Sequence, residues 1–113
     1  MLKMPNKVKI GTQIFQLVER ETNYDAGLAD TIGYTLPEVN LIVVRVDLPL
    51  QRKQAIILHE ILHAMIYTFT RQDRIEKNDN FDDWEHYFIG IVQEPMIMLL
   101  KDNPKLLAWL TQK

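Results

Sequence analysis

The 113-residue sequence has no cysteine, so no disulfide framework supports it and any metal it binds must rest on nitrogen and oxygen ligands. It has no basic excess either. Thirteen Lys and Arg stand against fifteen Asp and Glu, a net charge of -2, which leaves little to neutralise a run of phosphates, and no nucleic-acid partner is expected. Long hydrophobic runs are missing as well: residues 56–69 and 89–100 are interrupted by His, Glu, Gln and Pro. Both fall short of a bilayer span and read as core helices, so no membrane partner is expected. The opening Met1-Leu2-Lys3-Met4-Pro5-Asn6 lacks the apolar stretch of an export signal, so a cytoplasmic location is expected. No repeat or low-complexity tract breaks the chain, and its 47 % apolar and 25 % charged content is that of a globular protein. Residues 1–113 are expected to form a single domain with one core.

The pattern along the chain predicts strands first and helices after. Lys7-Val8-Lys9-Ile10 alternates, Gly11-Thr12 punctuates, and Ile14-Phe15-Gln16-Leu17-Val18 follows, a short strand pair. Residues 19–30 carry loop chemistry, with Asn23, Asp25 and Gly27. A hairpin follows, residues 31–35 and 40–46 flanking Leu36-Pro37-Glu38-Val39. Its second strand is almost continuously apolar and is expected to lie centrally or be covered on both faces.

Asp47 is placed to cap a helix opening near Leu48-Pro49 and running to about Thr70. Its apolar residues occupy most of the circumference, which predicts a buried helix. Residues 71–80 form a charged break. Asp82 or Asp83 would cap a second long helix bent at Pro95, with the stripe Glu85, Ile89, Val92, Met96, Leu99 on its buried face. Asn103-Pro104 ends it, and residues 106–110 make a closing helical turn. The expected fold is α+β, a small antiparallel or mixed N-terminal sheet followed by two long packed helices.

The chemistry concentrates in His59-Glu60-Ile61-Leu62-His63. Histidines four apart on a helix sit about 40° and 6 Å from each other, so both imidazoles can converge on one ion. Imidazole suits Zn²⁺, and a catalytic zinc commonly takes three protein ligands and keeps one position for water. Zinc brings the pKa of such a water to about 7, and Glu60 beside the first ligand is placed as its base. The competing reading makes both histidines core residues matched by chance, an event expected in well under about one chain in a hundred of this length. Burial of two unshared imidazoles would also leave ring nitrogens in need of partners.

For the third ligand Glu85 leads, because its carboxylate would otherwise be an uncompensated charge on a buried stripe. His86, about 100° further round the helix, is the alternative, and Asp82 and Asp83 follow as caps or supports for a ligand ring. Tyr34, Tyr67 and Tyr87 can each approach the site, and all three read first as core or rim tyrosines. Trp84 and Trp109 read as packing residues.

The strand near Val8-Lys9-Ile10, the hairpin ending Asn40-Leu41-Ile42-Val43-Val44, the run Leu58-His59-Glu60-Ile61-Leu62-His63-Ala64 and the closing Leu100-Lys101-Asp102-Asn103-Pro104 together resemble the small zincin-like metallopeptidases of bacteria and phages. These are similar to minimal forms of the peptidase domains that act on phage repressors or on protein-DNA adducts. The resemblance implies a minimal zincin-like fold, His59 and His63 as zinc ligands, Glu60 as catalytic base, and a Glu opening the next helix, here Glu85, as third ligand. It also implies a protein or peptide substrate, such as a phage or prophage regulator, laid along an edge strand. The run Leu41 to Val46 is the candidate edge or the neighbour of the edge. A chain with no second lobe would leave substrate choice to a regulatory partner or a homo-oligomer contact.

The alternative is a non-catalytic binding or structural module that zinc holds folded, with a fourth protein ligand closing the coordination sphere. A metal-dependent nuclease is a third reading, and the acidic balance argues against it.

Overall fold

A computed structural model of the chain describes residues 2–70 and 81–113, with the backbone alone at residue 70 and residues 81–85. The α+β order is present: strands β1 (Lys7–Ile10), β2 (Gln13–Arg20), β3 (Gly33–Leu36) and β4 (Leu41–Arg45) precede helices α1 (Leu50–Thr70), α2 (Phe81–Asp102) and α3 (Pro104–Leu110). The charged break at residues 71–80 lies outside the described residues, as do the side chains of Asp82, Asp83, Trp84 and Glu85.

The sheet is mixed, in the order β1-β2-β4-β3. Two antiparallel hairpins, β1 with β2 and β3 with β4, meet through a parallel β2–β4 contact that sets Leu17 opposite Ile42 and Val18 opposite Val43. The near-continuous apolar run is thus interior, as its composition required: Ile42, Val43 and Val44 have no exposed surface. Strand β4 neighbours an edge and is not one itself. The edges are β1 and β3.

Alternation decides which face of the sheet is covered. Val8, Ile10, Phe15, Leu17, Ile42 and Val44 point to one side and form a single cluster with Ile57, Ile61, Ala64 and Met65 of α1, Leu99 of α2, and Leu106 and Trp109 of α3. Val43 has the opposite parity and is buried outside that cluster, as is Leu28 in a 3₁₀ turn at Ala26–Leu28. Two such turns, at Thr22–Tyr24 and Ala26–Leu28, occupy the loop between β2 and β3.

Helix α1 departs from the expected all-round burial. One stripe is fully buried, whereas His59, His63 and Tyr67 lie on an exposed face. The Asp47 carboxylate is not free to cap it: it grips the Arg45 guanidinium at 3.0 and 2.8 Å. The helix opens on the Pro49 carbonyl, which accepts from the Lys53 N–H at 2.9 Å. At its other end Phe69 closes over the β1–β2 turn. Gly11 there has φ +61°, and any Cβ on it would lie 2.7 Å from the Phe69 ring, so glycine serves both the left-handed turn and the close approach.

The α2 stripe holds only in part. Leu99 is buried and Val92 and Met96 half-buried, but Ile89 is 49 % exposed. The described core therefore packs against Val92, Met96 and Leu99 and does not reach Ile89.

Asn103 links that helix to the sheet. Its Oδ1 accepts from the Lys9 N–H at 2.8 Å, while its Nδ2 donates to the Lys9 and Leu99 carbonyls, each at 2.8 Å. The amide thus acts as a one-residue strand on the β1 edge, the part of the closing Asn-Pro that carries structure. We expect Asn103→Ala to lower stability by about 1–2 kcal/mol, since a typical net hydrogen bond contributes roughly 0.5–1.5 and the exposed Lys9 groups regain water. Chemical denaturation measures this, and an unchanged midpoint contradicts it.

Candidate metal and acid-base site

The position of each motif residue follows from its angle on α1. His59 and His63 are one turn apart on the exposed face, and Tyr67 continues the same line. Glu60, about 100° away, turns toward β3 and is only 7 % exposed. Together these four and Thr31, Gly33, Tyr34, Thr35 and Pro37 line a cleft of about 430 Å³ between the helix and the edge strand.

The two imidazoles converge. Their Nε2 atoms are 3.1 Å apart and the rings stand edge to face, with centroids 4.7 Å apart at 76°. A tetrahedral zinc with bonds of roughly 2.0–2.1 Å would hold two nitrogens about 3.3–3.4 Å apart, so the pair fits such an ion with a shift of a few tenths of an ångström.

Glu60 is held from the strand side. The Thr35 hydroxyl lies 2.7 Å from Oε1 and 3.1 Å from the Glu60 main-chain carbonyl. The second carboxylate oxygen, Oε2, is 3.9 Å from His59 Nε2. Close packing of strand and helix makes this reach short. A Cβ on Gly33 would sit 2.8 Å from Ile56 Cγ2 and 3.1 Å from the Val43 carbonyl, so only glycine lets α1 lie this near β3.

The edge is accessible beside the cleft at Thr35, while Gly33 is buried. Arg45 N–H donates to the Ile32 carbonyl at 3.0 Å, which makes Tyr34–Val43 and Leu36–Leu41 the hydrogen-bonded pairs of the antiparallel ladder. Gly33 and Thr35 then turn their main-chain groups away from β4. The Gly33 carbonyl accepts from the Thr31 hydroxyl at 2.9 Å.

The far side of β3 is braced by charge. Tyr34 Oη donates to Asp25 Oδ2 at 2.6 Å, Arg20 Nη1 lies 3.2 Å from the same oxygen, and the Gly27 N–H donates to Oδ1 at 2.9 Å. These groups, the Tyr34 hydroxyl foremost, hold the Asp25 carboxyl below its ordinary value. Burial, and then Asp25 itself, raise the Tyr34 phenol. A carboxyl with a lower pKa folded than unfolded stabilises the fold above the unfolded value, about 3.9 for Asp. That contribution is lost as the pH falls through the folded value. We expect the stability gap between the parent and Asp25→Asn to be constant near neutrality and to close below about pH 4. Denaturation midpoints across pH measure it, and a gap that widens in acid contradicts it.

Of the candidates on α2, only His86 and Tyr87 have described side chains. His86 is exposed and lines a separate groove of about 460 Å³ with Phe69, Gly90, Glu94 and Met98. The Glu85 backbone lies in the first turns of α2. Its side chain lies outside the described ones. Among the described residues no group of three or more His, Cys, Asp and Glu is arranged to hold a metal. Tyr67 is brought to the cleft rim, while Tyr87 lines the other groove. Thr35 and Gly33 had no signal in the sequence, since their partner Glu60 is 25 or more residues away.

Among the described residues no helix is long and apolar enough to cross a membrane. Comparison of the chain with protein-family models, curated proteins and solved structures finds no match.

Proposed function

We propose that the chain is a zinc-dependent peptidase acting on a protein in the cytoplasm, such as a phage or prophage regulator, by a zincin-like mechanism. The observation that carries this is the convergence of His59 and His63 Nε2 to 3.1 Å in a cleft that also holds the buried Glu60. The two imidazoles fit zinc, and Glu85 of α2 would complete the ligand set, since His86 lines a separate groove. Bound zinc would supply a water with a pKa near 7 and a Lewis acid for the attacked carbonyl.

The chain's own groups supply the rest. Glu60 Oε2 takes the proton from the attacking water and delivers it to the leaving amine. Thr35 offers outward main-chain groups on which an extended peptide pairs as an added strand. Closeness of the carboxylate to that edge brings a seated peptide to the base without further folding.

Zinc content is the direct test. We expect the chain purified without chelators to carry close to one zinc, and His59→Ala or His63→Ala to weaken binding by more than about 100-fold, because even loss of a supporting group costs 10- to 100-fold. A peptide library incubated with the zinc-loaded chain and read by mass spectrometry tests hydrolysis. Absence of bound zinc in the parent, with His59→Ala as stable as the parent, overturns the reading.

A further inference from the structure

Glu60 enters the cleft from a helix face turned to the sheet, and the side chain that meets it is Thr35. The terminal torsion of a glutamate is soft and roughly two-fold, so an unheld carboxylate presents either oxygen over a range of angles. The Thr35 hydroxyl has one proton to give. It stands 2.7 Å from Oε1 and 3.1 Å from the Glu60 carbonyl. The shorter contact is charge-assisted, roughly twice as strong as a neutral one.

Oε2 is then the oxygen left toward His59, 3.9 Å from Nε2. Thr35 is suited to this by its place. It is β-branched, hence stiff at χ1, and it sits in β3 next to β4 with Ile42 as its opposite residue. The hydroxyl is therefore fixed by the sheet, a different element from the helix that carries the carboxylate.

Resting on the metallopeptidase reading, we propose that Thr35 is the positioning residue for Glu60: its hydroxyl holds Oε1 and thereby aims Oε2 at the imidazole pair. Thr35→Val keeps the shape and removes the donor, and Thr35→Ser keeps the donor. A general base swung away by a fraction of an ångström loses turnover and leaves substrate affinity alone.

Three readouts on the full chain test this. In a peptide cleaved by the parent, Thr35→Val lowers kcat by about 10- to 100-fold with KM little changed, and Thr35→Ser restores most of it. In the Co²⁺-loaded chain at one fixed pH, Thr35→Val shifts the visible bands in the same sense as Glu60→Gln, and Thr35→Ser leaves them at the parent's positions. In urea unfolding, Thr35→Val lowers the folding equilibrium constant about tenfold in the parent and several-fold less in Glu60→Ala, where the contact to the main-chain carbonyl is all that is left to lose.

Additive effects in that unfolding cycle overturn the proposal, as do an unchanged Co²⁺ spectrum and kcat in Thr35→Val. A parent chain that binds no Co²⁺ and cleaves no peptide overturns the peptidase reading instead. The unfolding cycle needs neither metal nor substrate and still judges the Thr35–Glu60 contact.

Discussion

Glu60→Gln is expected to keep its zinc and lose peptide hydrolysis by about 10²- to 10⁴-fold, the range supplied by a positioned acid-base group. The substitution is nearly isosteric, and the Thr35 hydroxyl, 2.7 Å from Oε1, can donate to an amide oxygen as it does to the carboxylate. The imidazoles of His59 and His63, 3.1 Å apart at Nε2, keep their places. Proton transfer is what disappears, because an amide cannot take the proton from the attacking water at neutral pH. Metal content, melting temperature and turnover are measured on the same preparation. Loss of turnover with zinc retained separates catalysis from metal-held folding, and undiminished turnover contradicts the assignment of the base. If the motif serves only as a folding staple, Glu60→Gln changes nothing while His63→Ala unfolds the chain.

The second large effect concerns the core. Trp109 in α3 is 2 % exposed and packs in the cluster that joins both hairpins to α1. Its carbonyl and that of Gln112 accept from Gln54 Nε2 at 2.8 and 2.9 Å, tying α3 to α1. Trp109→Ala is expected to cost about 3–5 kcal/mol, the usual range for a buried aromatic reduced to a methyl group. Against a total stability of roughly 5–15 kcal/mol for a small domain, that loss removes at least about a fifth of the margin. Urea unfolding measures it. A loss under about 1 kcal/mol would mean that α3 lies outside the cooperative core.

The strand and helix order was readable because the periodicities are local. Lys7-Val8-Lys9-Ile10 alternates in burial as its polarity alternates, and Ile57, Ile61, Ala64 and Met65 are buried as their spacing predicts. Periodicity misled on α2, where Ile89 continues the apolar stripe and is nonetheless 49 % exposed. A stripe shows which residues share a face, but whether a neighbour covers that face depends on how far the sheet and the other helices extend. Asp47 was misread for a related reason: Arg45, two residues before it, binds the carboxylate first.

The sequence alone established the α+β order, the interior character of Leu41–Arg45 and the placing of two histidines and a glutamate on one helix, because each depends on residues within a turn or a strand of one another. It could not say which strand would border the motif. The parallel β2–β4 junction makes β3 an edge and sets Gly33 and Thr35 beside Glu60. Those contacts join residues 25 or more apart and arise only when the helix is laid on the sheet, so no local pattern encodes them. The motif supplied the chemical groups. Tertiary packing buried the carboxylate, left the imidazoles open and gave one carboxylate oxygen a partner.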